Sequence, residues 1–223
     1  MGLRIAGGVL ALLVLLLLLP FLTPGERSVA IPPAHGLPWQ VELPASGASR
    51  VFGLTLGGPA PSSLADARRL APDAPRLALL APPDAPLALE AYYDSLNIEG
   101  LNGKLVLALA AAPAELQTMR DRAAKTDHLD SGLRKYLLSE ADAQRAAALP
   151  LAGIVFIPAA NLDETTILQR FGPPAERIRQ GETLEHFLYP AKGLDVVLDS
   201  KGKEVLQYVA PRDFARLRQP LGR

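Results

Sequence analysis

The chain holds three histidines, His35, His128 and His186, and no cysteine, so metal or nucleophilic chemistry has few starting points. The closest cluster is Asp127-His128-Asp130, two carboxylates beside one imidazole. A bound zinc ion needs further donors from elsewhere, and this trio lies in a polar stretch before Ser131-Gly132 that reads as a solvated loop. His186 alternates in phase with Leu184 and Leu188, the placement of a core or edge histidine rather than of a general base. The serines of Ser46-Gly47-Ala48-Ser49 and Asp130-Ser131-Gly132 lack the strand-turn-helix elbow that exposes a nucleophile. Gly57-Gly58-Pro59 lacks the lysine and spacing of a phosphate-binding loop, and its proline removes an amide donor. Asp163 and Glu164 sit where a helix begins, so capping and the helix dipole account for the pair. The lack of cysteine excludes disulfides, thiolate metal sites and an acylated cysteine. No catalytic, cofactor-binding or metal-binding residue is assigned.

The side chains left with recognition chemistry are aromatic: Tyr92, Tyr93, Phe187, Tyr189 and Tyr208. Successive strand side chains point to opposite faces, so one of the neighbours Tyr92 and Tyr93 is either exposed or covered by a second element. Tyrosine combines an apolar body with a polar tip and anchors protein interfaces. These five residues form the expected interaction surface, with packing against an adjoining helix as the competing reading.

The elements that must position them begin behind an address. From Ile5 to Leu22 the chain carries no charge, and Arg4 precedes the run. A span of roughly 20 apolar residues crosses a bilayer, whereas the apolar part of a signal peptide has about 7 to 15. The one tolerable cleavage site, Ser28-Val29-Ala30, lies beyond Pro24, Glu26 and Arg27. The run therefore reads as an uncleaved inner-membrane anchor, and the positive-inside bias puts the rest of the chain in the periplasm. With 23 basic against 23 acidic residues, neither nucleic acid nor an anionic surface is implied as a partner.

Five prolines between residues 23 and 50 suggest a semi-rigid linker. Beyond it the chain resembles itself: Leu64 to Arg76 aligns with Thr165 to Arg177, pairing Arg69 with Arg170 and Arg76 with Arg177, and Gly103-Lys104 recurs as Gly202-Lys203. Each half contains a capped helix, Ser63 with Asp66 and Asn161 with Glu164, ended by a proline and followed by alternating strands. Val51 to Leu56 and Gly153 to Ile157 are expected as the opening strands of the two copies. The expected fold is α+β, an N-terminal transmembrane helix plus two similar helix-and-antiparallel-meander modules. The expected boundaries are an anchor at 1–25, a linker at 26–50, a first module at 51–112, connecting helices and a strand at 113–150, and a second module at 151–223.

Phe171-Gly172-Pro173 and Leu188-Tyr189-Pro190, within residues 165–209, resemble the SmpA/OmlA (BamE-type) module of small outer-membrane lipoproteins of the barrel-assembly machinery. The resemblance implies a helix ending in a Gly-x-Pro turn, a strand ending in Tyr-Pro, and a hairpin with a buried strand pair. The family is tethered through an acylated cysteine, which this chain lacks. The whole chain is also similar to membrane-anchored proteins of Gram-negative bacteria, a resemblance that implies no activity. The functional expectation is a non-enzymatic, cofactor-free envelope protein, held in the membrane through residues 5–22, that binds another envelope protein. The alternative is a periplasmic module for a lipid or other apolar ligand, which requires a cavity. A third reading, an envelope hydrolase, requires Ser, His and Asp side chains to converge.

Overall fold

A computed structural model describes residues 36–222, apart from 45 and 72. The expected membrane span, residues 5–22, lies outside the described residues. Among those described, no helix is long and apolar enough to cross a membrane.

The described chain opens with two short strands, β1 (Ser49–Val51) and β2 (Leu54–Leu56), and helix α1 (Leu64–Ala67). Strands β3 (Arg76–Ala81), β4 (Ala88–Ile98) and β5 (Leu101–Leu109) follow. Helix α2 (Pro113–Asp121), strands β6 (Lys125–His128) and β7 (Arg134–Leu137), and helix α3 (Glu140–Ala146) lead to β8 (Leu151–Pro158). Then come α4 (Glu164–Phe171), the meander β9 (Glu176–Gln180), β10 (Leu184–Tyr189), β11 (Leu194–Asp199) and β12 (Val205–Tyr208), and a C-terminal turn of helix, α5 (Ala215–Arg218).

Ten strands form one antiparallel sheet in the order β6-β7-β3-β4-β5-β8-β12-β11-β10-β9. This corrects the expected α+β fold of two modules: the described protein is mainly β, and β8 pairs with β5 on one side and β12 on the other. The reason lies in β8 itself. Ile154 and Phe156 are buried on one face, Val155 and Ile157 on the other. A strand apolar on both sides belongs in the middle of a covered sheet, not at the margin of a small module.

The single strand expected over residues 51–56 is instead the β1-β2 hairpin. Phe52 and Gly53 take φ values of 54° and 69°, a left-handed pair that closes a two-residue turn between Val51 and Leu54. Positive φ strains a non-glycine residue, and full burial of the Phe52 ring against Phe156 and Tyr208, with centroids 5.4 and 5.9 Å away, offsets that strain.

The Ser63 and Asp66 capping box forms as the spacing predicts. At α4 the cap is Asp163, which accepts from the Thr166 amide at 2.7 Å, while Asn161 accepts from Lys203 Nζ. The aligned arginines also differ. Arg76 lies opposite Tyr92 and Arg177 opposite Phe187 in the strand registers, yet Tyr92 and Phe187 belong to opposite faces of the sheet. A one-residue slip in register moves every side chain to the other face, so the sequence alignment does not superpose the two strand pairs.

One face of the sheet carries helices α1 to α4. Leu64 of α1, Met119 of α2, Ala146 of α3 and Phe171 of α4 join Leu89, Leu107, Phe156 and Val196 in one continuous core. The far end of the expected linker docks here too. Trp39 meets Phe171 edge-on at 6.4 Å, and Arg170 stacks over the indole at 4.7 Å. On the second face Leu80, Tyr92, Val106, Val155, Val197 and Val205 are buried with Leu133. Phe214, Leu217 and Leu221 pack there against Leu188 and Val209. Both edge strands are charged: β6 reads Lys-Thr-Asp-His and β9 Glu-Arg-Ile-Arg-Gln. Such edges resist pairing with other chains.

Candidate functional site

The five expected interaction residues are all buried within the chain, none more than 6% exposed. Tyr92 and Tyr93 do point to opposite faces, and both faces are covered. On the helix face Tyr93 donates to the Ala67 carbonyl at 3.2 Å, Tyr189 to the Gly172 carbonyl at 2.9 Å, and Tyr208 to the Pro38 carbonyl at 2.9 Å. Phe187 lies under the Arg177 guanidinium at 4.5 Å. Burial pushes the Tyr93 and Tyr189 hydroxyls up to about 12 and the Tyr208 hydroxyl well above its usual range, so these groups act as neutral donors that tie helices and the N-terminal segment to the sheet.

Tyr92 differs. It faces the other way and donates at 2.7 Å to Oε2 of Glu90, two residues earlier on the same strand. Glu90 is 2% exposed, and burial pushes its carboxyl up to about 7 against the opposing pull of the Tyr92 hydrogen bond. A carboxyl group near 7 in an apolar setting exchanges its proton at neutral pH.

Three further polar side chains are buried on this face, one on each of β10, β11 and β12. His186 Nδ1 lies 2.8 Å from Asp195 Oδ2, both side chains being fully enclosed. Burial raises the Asp195 carboxyl, with the His186 contact opposing it. Gln207 pairs in register with Asp195 and with Val155. His186 Nε2, Asp195 Oδ1 and both atoms of the Gln207 carboxamide have no hydrogen-bond partner among the described residues. The His-Asp contact has the form of the orienting half of a catalytic triad, but Nε2 meets no hydroxyl there.

Between these groups the sheet floor is small. Glu90 pairs with Ala108, and Ala108 with Gly153. A register shift between the Ala108 and Leu109 pairs places an irregularity in β8 at Ala152; such bulges re-aim side chains and recur beside binding sites. A Cβ added at Gly153 would approach the Tyr208 carbonyl to 3.1 Å, so glycine keeps this part of the floor low. Above the floor lie two lobes that share Ala108, Ala152 and Arg216 in their walls. The larger, ≈ 440 Å³, is bounded by Leu80, Pro82, Pro86, Leu133 and Glu90. The smaller, ≈ 190 Å³, is bounded by Gly153, Gln207, Val209 and Leu217. The α5 wall is fixed from outside: Arg218 grips Glu176 of β9 through two hydrogen bonds of 2.8 Å. Together the lobes form a largely apolar cleft with a few convergent polar groups, the usual form of a small-molecule site of about 300 to 1,000 Å³.

His128 and Asp127 lie on exposed strand β6 rather than in the expected loop, with Asp127 paired to Lys125 at 2.8 Å. No group of three or more His, Cys, Asp or Glu side chains suited to a metal ion occurs among the described residues. The residues that shape the cleft, Glu90, Ala108, Gly153, Gln207 and Arg216, did not stand out in the sequence. A faint signal exists in Ala88-x-Glu90-x-Tyr92, a strand face bearing a carboxylate among small and aromatic residues.

Fold and cleft define a mainly β protein with a concave site on one sheet face. No family model, no curated protein and no solved structure matches the chain.

Proposed function

We propose that the protein is a non-enzymatic envelope module that binds a small apolar or amphiphilic ligand in the second-face cleft. Residues 5–22 anchor it in the inner membrane with the folded part in the periplasm. The observation that carries this reading is the pairing of an apolar cleft with two buried polar groups: Gln207, whose carboxamide atoms have no hydrogen-bond partner among the described residues, and Glu90, whose carboxyl accepts there from Tyr92 alone. Buried polar atoms without partners cost roughly 1 to 3 kcal/mol each, a burden that a ligand supplying those partners relieves.

A protein-scaffold role has less support. The five aromatic side chains are internal, the sheet edges are charged, and the exposed large apolar residues Leu43, Leu137 and Leu168 lie on three separate parts of the chain. Among the described residues neither a flat apolar patch nor an unprotected strand edge offers itself.

The test is titration of a dansyl-labelled alkyl probe onto the full chain held in lipid nanodiscs, with empty discs as the reference. Saturable binding above the reference is expected, and Ala108→Phe, which fills the floor of both lobes, abolishes it. Equal binding by a folded Ala108→Phe variant, or no saturable binding at all, overturns the reading.

A further inference from the structure

Both lobes are mostly apolar and share Arg216, but each holds a different buried polar side chain, the Gln207 amide in the smaller and the Glu90 carboxyl in the larger, and that difference points to the class of ligand. We infer that the cleft takes a single-chain amphiphile with an anionic head, the head bound by Arg216 and the Gln207 carboxamide in the smaller lobe and the tail lying over Ala108 and Ala152 into the larger. This rests on the cleft being a ligand site, as proposed above, and adds the ligand's charge and orientation.

Gln207 carries the first part of the inference. Its side chain is 2% exposed, it lines the smaller lobe, and neither carboxamide atom has a partner among the described residues. No hydrogen bond within the described residues fixes the amide's orientation, so its NH2 can turn to donate to an incoming oxygen. Arg216 carries the second. It lines both lobes and is exposed, whereas its neighbours Arg212 and Arg218 are engaged by Asp213 and Glu176. Arg216 has no such carboxylate among the described residues. A guanidinium and an amide at one small lobe suit a carboxylate or a phosphate monoester, and charge-assisted hydrogen bonds of this type are the strong ones.

The larger lobe suits a tail. Leu80, Pro82, Pro86 and Leu133 supply its apolar walls, and alanines supply its floor. Three strand spacings separate Glu90 on β4 from Gln207 on β12, about 14 Å across the sheet, so the path from head to tail runs across the strands for the length of a medium alkyl chain. Burial raises the Glu90 carboxyl in that lobe to about 7, so beside the tail stands a group that can take up a proton rather than a fixed negative charge. A cationic head, by contrast, would face Arg216 with no carboxylate in the smaller lobe to compensate it.

The experiment is photolabelling of the full chain in lipid nanodiscs with a decanoate bearing a diazirine at the tail end, mapped by peptide mass spectrometry. Labelling is expected in 80–88 or at Leu133, competed by decanoate and decyl phosphate but not by decanol or decylamine. Arg216→Ala should lower labelling about tenfold, the size of one lost charge-assisted hydrogen bond, and Arg216→Lys should retain most of it. Gln207→Leu should weaken labelling with the fold intact by circular dichroism. If decanol competes as well as decanoate, or Arg216→Ala labels normally, the anionic-head inference falls while the ligand cleft stands. If labelling is confined to residues outside the cleft, both fall.

Discussion

The helix face of the sheet buries far more hydrocarbon than the second face, and the two treat their polar groups in opposite ways. On the helix face the hydroxyls of Tyr93, Tyr189 and Tyr208 each donate to a backbone carbonyl of a helix end or of the N-terminal segment. On the second face Gln207, His186 and Asp195 keep buried atoms without partners, and Glu90 holds a buried carboxyl at the cleft. The first arrangement is what stability alone selects. The second gives up stability at a defined place, as binding sites do.

Predictions can break this comparison at several strengths, each followed by urea unfolding of the full chain in nanodiscs with Trp39, the one tryptophan, as reporter. The largest effect is expected on the helix face. Phe156 is fully buried between Phe52 and the sheet, and Phe156→Ala should destabilise by about 4 kcal/mol through lost burial and a cavity. A loss well below that would mean the helix face is loosely packed.

The next effect belongs to Glu90. Because burial raises its folded-state value from 4.5 to about 7, the stability it contributes is intact below pH 4.5 and is lost as pH rises through about 7. The span corresponds to about 3 kcal/mol. Glu90→Gln should remove that slope and leave the variant the more stable of the two at pH 8. A wild-type profile already flat between pH 5 and 8 would show that Glu90 is solvated.

Neighbouring residues of β12 give a sharper contrast. Tyr208→Phe deletes a satisfied bond on the helix face and should cost about 1 kcal/mol, whereas Gln207→Leu replaces an unpaired amide on the second face and should be neutral or stabilising by a similar amount. Equal destabilisation of both would erase the distinction between the faces. The smallest effect is expected at the edge: His128→Ala, on an exposed strand, should stay within about 0.5 kcal/mol of the parent.

Local pattern carried some of this a long way. The alternation over 184–189 and 194–199 gives β10 and β11 with those same limits, and the Ser63-Asp66 spacing gives the cap of α1. Strands without apolar alternation escaped notice. β6 has no apolar residue, and β9 has only Ile178, because edge strands need charge more than burial. The strand order was less legible still. The two-sided apolar pattern of β8 marks it as an interior strand but does not say that its neighbours are β5 and β12, and the expected modules split where the sheet is continuous. The cleft stayed hidden for the same reason, since its floor and walls come from β4, β5, β8, β12 and α5, brought together by register alone.

The most direct test of the second-face site is a decanoate titration of the isotope-labelled full chain in nanodiscs, followed by NMR. Saturable shifts are predicted for the Gln207 side-chain amide and for the backbone amides of Ala108 and Gly153, with the backbone amides of Leu64 and Met119, on the helices that cover the other face, unmoved. Shifts centred on those helices, or none that saturate, would contradict the account.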